Sequence, residues 1–185
     1  SQDDVYNDIL RILTQFMFND EITAQYVLCH LISSVYARVN DESLGKFTLN
    51  MICHSIPLEV LNEYTQNLYS FFECLLPNSI YIPLSIENLN TSSFVPKKDY
   101  TKNRLSSGVL QLPNNTHLVL DETKMENGKL DQAGVMAISD LSELIKTQKL
   151  SYDFQFYKIP YNTDYPVCII SEGKSLLPVS DQFTL

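Results

Sequence analysis

Ser107-Gly108-Val109-Leu110-Gln111-Leu112, the polar turn Pro113-Asn114-Asn115-Thr116 and then His117-Leu118-Val119-Leu120-Asp121-Glu122-Thr123-Lys124-Met125 together decide the fold. An apolar β-type run that ends in Asp-Glu has the shape of a Walker B strand. There, a strand buried on both faces delivers one carboxylate to a magnesium ion and the next toward an attacking water. Chemistry of that kind also requires a phosphate cradle.

The sequence supplies no such cradle. A phosphate loop places a glycine five residues before a Gly-Lys pair, so that backbone N–H groups can curl around phosphate oxygens. The Gly-Lys pairs are Gly45-Lys46, Gly128-Lys129 and Gly173-Lys174, and the positions five residues before each glycine hold Asn40, Thr123 and Cys168. After the three lysines come Phe47, Leu130 and Ser175, so only the last carries the hydroxyl that would hold magnesium. The sequence therefore predicts a nucleotidase-type frame that has lost its catalyst, with no cofactor, no metal and no enzymatic activity.

Composition narrows the rest. A chain of 185 residues, 44 % of them hydrophobic, can bury one sizeable core, and a single domain over 1–185 is expected. Only five glycines are present, which disfavours repeat and collagen-like architectures. The net charge of −9 disfavours a duplex-binding surface, because phosphate neutralisation supplies most non-specific affinity. A protein partner is expected rather than nucleic acid or a membrane. Cys29, Cys53, Cys74 and Cys168 are widely spaced in apolar runs, which predicts buried free thiols and a reducing compartment, cytosol or nucleus. The chain opens inside a helical pattern, so a fragment of a longer protein is expected.

Hydrophobic periodicity organises the chain. Val5, Ile9, Ile12, Leu13, Phe16 and Met17 recur at helical spacing, and a second helical pattern runs from Ile22 to Val35 behind Asn19-Asp20, making 1–38 a helical lead-in. The α/β core of 39–185 then reads as a strand from Phe47 to His54, a helix from Tyr64 to Leu76 and a strand from Ile80 to Ile86. Residues 88–106 are polar and turn-rich and read as an irregular insertion. A helix from Gly134 to Lys149 and strands at Leu150–Ile159 and Tyr161–Ile170 close the pattern, which argues for a three-layer α/β sandwich.

The run from Ser107-Gly108 to Asp121-Glu122-Thr123-Lys124-Met125 resembles the segment leading into Walker B of the mini-chromosome maintenance helicase subunits. On that register Phe47–His54 is the strand before the phosphate loop, and His54-Ser55-Ile56-Pro57-Leu58-Glu59-Val60 occupies the loop without a glycine or a lysine. Leu44-Gly45-Lys46 is then a decoy lying before the strand. Leu150–Pro166 becomes similar to the hairpin before sensor 1, and Val167–Ser171 to the sensor 1 strand, with Ser171 near the place of the helicases' asparagine.

A further set of matches covers most of the chain from about residue 20. It comprises the stretch from Leu28 through Gly45-Lys46-Phe47-Thr48, Lys98-Asp99-Tyr100-Thr101, Asn103-Arg104-Leu105 and Ser171-Glu172-Gly173-Lys174-Ser175-Leu176-Leu177-Pro178. These resemble the C-terminal half of the family of mini-chromosome maintenance complex-binding proteins. The resemblance implies an AAA+-like, P-loop NTPase-type sandwich with a degenerate nucleotide site and no sensor 2 lid. It further implies a nuclear, non-helicase partner of the helicase subunits, acting like a chaperone in their assembly or protection and in their unloading from replicated chromatin, within DNA replication, the cell cycle and sister chromatid cohesion.

Simpler readings accompany each candidate site. Asp121 and Glu122 are expected to cap the next turn or to meet a neighbouring cation. Lys97, Lys98, Lys102 and Arg104, interleaved with Tyr100, form a basic patch whose expected role is a solvated loop or a contact with an acidic partner, with DNA as the alternative. Cys29-His30 and Cys53-His54 lack the paired Cys-x-x-Cys spacing of structural zinc sites. The contrasting functional reading is a nucleotide-binding or hydrolysing AAA+ ATPase with an unorthodox phosphate loop.

Overall fold

Residues 2–185 are described by a computed structural model. Helices α1 (Gln2–Phe16) and α2 (Glu21–Leu31) lead into a small hairpin of β1 (Ala37–Val39) and β2 (Glu42–Leu44). Then come β3 (Leu49–Ile52), α3 (Leu58–Leu75), β4 (Ser79–Pro83), α4 (Ile86–Thr91), β5 (Lys97–Asp99), β6 (Arg104–Ser106) and β7 (His117–Asp121). A 3₁₀ turn at Glu122–Lys124 leads to α5 (Gln132–Thr147), β8 (Lys149–Asp153), β9 (Lys158–Asn162), β10 (Val167–Ser171) and β11 (Asp181–Thr184).

Five strands form one parallel sheet in the order β11-β3-β10-β7-β4, with Cys168 opposite both Leu49 and Val119. Strands buried on both faces need apolar residues at consecutive positions. In β7 and β10 all five residues are buried. Their side chains alternate between two cores. Leu118, Leu120, Val167 and Ile169 pack with Leu89 of α4 and Leu141 and Leu144 of α5. Val119, Cys168 and Ile170 pack on the opposite face with Leu13 of α1, Val27 of α2 and Leu68 and Phe72 of α3. The result is an α/β fold with helices on both faces of a parallel sheet.

Local chemistry sets the helix starts. Asp20, Ser85 and Asp131 each accept the backbone N–H three residues on, at 3.1, 3.1 and 2.9 Å, as N-caps of α2, α4 and α5. The C-terminus of α5 is satisfied by cations from a distant segment. Arg38 donates to the carbonyls of Thr147, Gln148 and Thr163 at 3.2, 3.0 and 2.6 Å, and Lys46 donates to those of Ile145 and Lys146. The decoy Gly-Lys pair thus has a structural occupation. Gly45 sits at φ +94, and a Cβ there would lie 2.3 Å from the Ser34 carbonyl oxygen.

One polar chain crosses the apolar layer beneath α2. His30 Nδ1 lies 2.6 Å from the Phe47 carbonyl oxygen, and His30 Nε2 lies 2.9 Å from His117 Nε2. A carbonyl can only accept, so His30 carries its proton on Nδ1 and its Nε2 accepts from His117 Nε2–H. Ser79 Oγ stands 3.4 Å from the remaining His117 nitrogen. Burial lowers the pKa of both rings, that of His30 to about 4 against the opposing pull of the Phe47 carbonyl. His117 is driven well below its usual value, first by burial and then by the neighbouring His30.

Several sequence expectations change. Residues 88–106 are not irregular throughout: α4 runs to Thr91, and β5 and β6 form an antiparallel hairpin turned by Asp99, whose Oδ1 accepts from Thr101 N and Lys102 N. The polar composition there reflects turn chemistry. The lead-in helix stops at Leu31 rather than reaching Val35, and α3 begins at Leu58 rather than Tyr64. Ser107–Leu112, ahead of β7, lies against Ser93 and Phe94, whose carbonyls accept from Val109 N and Leu110 N at 2.9 Å. The stretch expected as two strands over 150–170 is three, β8, β9 and β10, because the first two close a hairpin in the order β6-β5-β8-β9 of a second sheet. Cys29 and Cys74 are exposed on outer helix faces, and only Cys53 and Cys168 are buried; all four thiols are free.

Candidate functional site at the carboxyl end of the sheet

Open parallel sheets bind ligands in the crevice outside the carboxyl ends of their strands. Here that end gathers the last residues of β7, β10 and β3. Asp121 pairs with Ile170 on one side and Pro83 on the other, Ser171 pairs with Ile52, and Cys53 N donates to the Ser171 carbonyl at 2.7 Å. The loop Cys53–Pro57 then leads into α3. Asp121, Glu122, Ser171 and this loop are therefore brought together at one end of the sheet.

Asp121 is fully buried, and both of its oxygens are engaged by the chain itself. Oδ1 accepts from Thr123 N at 2.9 Å and Thr123 Oγ1 at 2.5 Å, capping the 3₁₀ turn, while Oδ2 accepts the Tyr81 hydroxyl. The Tyr81 phenol pKa rises, first from burial and then from this hydrogen bond to Asp121. The Cys53 thiol at the loop's start is pushed up to about 12 by burial, with the charges of Asp121 and Glu172 adding to it. Glu122 accepts from Ser175 Oγ at 2.5 Å and Leu176 N at 3.2 Å. Burial raises its pKa against those two hydrogen bonds.

This donor set does not fit a magnesium nucleotide. A phosphate needs several backbone N–H groups in a glycine-shaped curl and a lysine. Cys53-His54-Ser55-Ile56-Pro57 has neither residue, and α3 follows Pro57 with no side-chain cap. The carboxylate that would hold the ion already accepts three hydrogen bonds, two from Thr123 and one from Tyr81. Lys124, the cation nearest in sequence, reaches Asn62 of α3. Ser171 Oγ lies 2.8 Å from Asn50 Oδ1 and 2.6 Å from the Gly173 carbonyl oxygen, a buried polar pair that ties β10 to β3.

The basic patch lies on the second sheet. Lys97, Lys98, Tyr100, Lys102 and Arg104 are brought together by the β5–β6 hairpin, with Asp99 set among them. Lys102 approaches Asp99 at 4.0 Å, and Lys98 donates to Asn103 at 3.0 Å with its ammonium 5.9 Å from the Tyr100 ring centre. Tyr100 donates to the Phe154 carbonyl at 3.0 Å, joining this hairpin to the β8–β9 hairpin. Part of the basic charge is thus spent within the patch.

Sequence reasoning missed Tyr81, Thr123 and Asn50 around the carboxylates. Asn50 alone carried a signal, as a polar residue inside an otherwise apolar strand. It also missed a cavity of about 620 Å³ beside the Cys53–Pro57 loop, walled by Met17, Phe18, Ile56, Val60, Tyr64 and Leu185. Its walls come from segments far apart in the chain, and no local pattern marks them.

Comparison with known proteins supplies the context for this site. Residues 1–185 match the family described as mini-chromosome maintenance replisome factor. The chain is 48 % identical over 174 residues to the mini-chromosome maintenance complex-binding protein of Drosophila melanogaster, covering 94 % of the chain and 28 % of that protein. The protein of the same description in Homo sapiens is 44 % identical over 178 residues, covering 96 % of the chain and 27 % of the relative. That of Danio rerio is 43 % identical, with 96 % and 28 % covered. The chain spans little more than a quarter of the length of these relatives.

Proposed function

The chain belongs to the mini-chromosome maintenance replisome factor family, and on that premise we propose that it binds mini-chromosome maintenance helicase subunits as a non-catalytic, AAA+-like module. The names of the similar proteins, which describe them as binding the mini-chromosome maintenance complex, support the choice of partner. Strand adjacency supports the AAA+-like register: β10, in the sensor 1 place, lies between β3, which leads into the phosphate-loop position, and β7, which carries the acidic pair. The β8–β9 hairpin precedes β10, where the resemblance calls for one. In this reading 1–185 is one degenerate AAA+-like unit of a longer nuclear protein.

The observation that carries the non-catalytic reading is the closed hydrogen-bond set of Asp121 beside a loop with neither glycine nor lysine. Such a module resembles a ring subunit in frame and competes for subunit contacts by mass action, with no hydrolysis step. Competition of this kind suits both protection of free subunits during assembly and their removal from chromatin. The deciding experiment is a pull-down of purified helicase subunits by this chain, paired with calorimetry against magnesium ATP. Subunit capture without nucleotide heat supports the proposal. Absence of capture, or saturable heat abolished by Asp121→Ala, refutes it.

A further inference from the structure

The cavity beside the degenerate phosphate-loop position has a volume of about 620 Å³, within the range of ligand sites. Its walls are the turn between α1 and α2, the β3–α3 loop, the first turns of α3 and the end of β11. Three independent features converge on it.

The first is a strained aromatic lip. Phe18 and Asn19 both hold left-handed backbone, at φ 53 and 69, a conformation that a bulky residue such as Phe18 adopts at a cost and that clusters at clamps and binding sites. It leaves Phe18 57 % exposed, stacked on Tyr64 with ring centres 5.7 Å apart and planes 19° apart. Tyr64 is fixed in turn by its hydroxyl, which donates to the Phe16 carbonyl at 3.0 Å. The second is exposed apolar surface: Val60 in the lining, Leu58 one residue after the lining residue Pro57, and Ile22 two residues after the lining residue Asp20 are all exposed. The third is charge. Asp20 and Glu63 line the cavity, Glu21 follows Asp20 and Glu59 precedes the lining residue Val60, and no lysine or arginine is among the lining residues. Hydrogen bonds from Thr23 hold the Asp20 carboxyl below its usual pKa, so it stays charged.

An apolar, aromatic-lipped cavity with an acidic rim rejects anions, a nucleotide among them, and complements an apolar group carried beside positive charge. We propose that this cavity receives the bulky apolar side chain of a partner segment in which that residue is flanked by lysine or arginine. The inference rests on the reading that helicase subunits are the partners, and it names the part of them that docks. Binding energy at protein interfaces concentrates where one such side chain fills a dehydrated pocket, and rim charge sets the rate and choice of partner.

The test is capture of purified helicase subunits by the full chain, comparing wild type with Val60→Arg, which fills the mouth and adds repelling charge, and Phe18→Ala, which removes the lip. Both positions are exposed, and Lys129→Ala, at an exposed residue outside the cavity lining, serves as the control. The same proteins are then applied to overlapping peptides tiling the subunits. The proposal predicts capture at least tenfold weaker for both cavity variants, unchanged capture for the control, and bound peptides that pair a bulky apolar residue with lysine or arginine. If wild type captures subunits and both cavity variants do so equally well, this inference falls while the functional reading stands. Captured peptides that are acidic overturn it as well. If wild type captures no subunit, the functional reading falls and takes the inference with it.

Discussion

The two buried histidines make stability fall steeply with acid. In the unfolded chain both titrate near 6.5, whereas burial holds His30 at about 4 and His117 well below its usual value in the fold. A depressed folded pKa means that the unfolded state binds more protons as pH falls below 6.5. The stabilisation is therefore fully present above that value and is lost on descending toward the folded pKa. For a single site at 6.5 unfolded and about 4 folded, the change from pH 7 to pH 5 is about 2 kcal/mol. His117, lowered by burial and by the neighbouring His30, shifts stability in the same direction, against a total that is typically about 5–15 kcal/mol.

Structure explains the size of the effect. Burial is the first cause of both shifts, and His30 also lowers His117 electrostatically, so the second proton is harder to add than the first. Burial raises the pKa values of Glu122 and Asp140, a shift whose effect on stability runs in the opposite direction. The double variant His30→Asn, His117→Gln separates the two contributions. The amide introduced at position 30 can still donate to the Phe47 carbonyl and accept from the amide introduced at position 117, and neither titrates. Urea unfolding at pH 7 and pH 5 should show the wild type losing at least about 2 kcal/mol more than the double variant across that interval. An equal pH dependence in the two proteins would refute the assignment of buried, neutral imidazoles.

Three other outcomes are expected. Arg38→Ala leaves the Thr147, Gln148 and Thr163 carbonyls without this donor and should cost about 2 kcal/mol in chemical denaturation, whereas a neutral result would mean water replaces the guanidinium freely. A methyl at Gly108 would lie 2.4 Å from the Val95 carbonyl carbon and 2.6 Å from the Phe94 oxygen, both backbone. Gly108→Ala should therefore destabilise by about 1–3 kcal/mol, and a melting temperature within a degree of wild type would contradict that close approach. In native conditions a thiol reagent should titrate Cys29 and Cys74 rapidly, while Cys53 and Cys168, buried with raised pKa values, react only on unfolding; four fast thiols would count against the two-core packing.

Legibility in the sequence followed the range of the interactions. The runs His117–Asp121 and Val167–Ser171 could be read as strands because burial on both faces demands consecutive apolar residues whatever their partners. The start of α3 was hidden because nothing caps it: Pro57 opens the helix without a side-chain hydrogen bond, so the usual polar signal is missing. Residues 88–106 misled because three-residue strands are held by cross-strand pairs, such as Lys98 with Leu105, rather than by propensity. At the site, Asp121 and Glu122 announce themselves by type and spacing. Their hydrogen-bonding partners Tyr81 and Ser175 lie 40 and 53 residues away and come near only through sheet register and the final connector. The cavity needed four separate segments to close and left no trace in any one of them.

The order β11-β3-β10-β7-β4 leaves two outer strands, β11 and β4, and the second sheet leaves β6 and β9. Each is poorly suited to recruiting another strand. β4 ends in Pro83 and β9 carries Pro160, neither of which can donate a backbone hydrogen bond, while β6 and β11 are three and four residues long and begin with Arg104 and Asp181. A chain rich in parallel strands and exposed tyrosines is thereby guarded against fibrillar self-pairing. At these four edges, contacts written in side chains, which can be exchanged one at a time, are favoured over a continuous ladder of backbone.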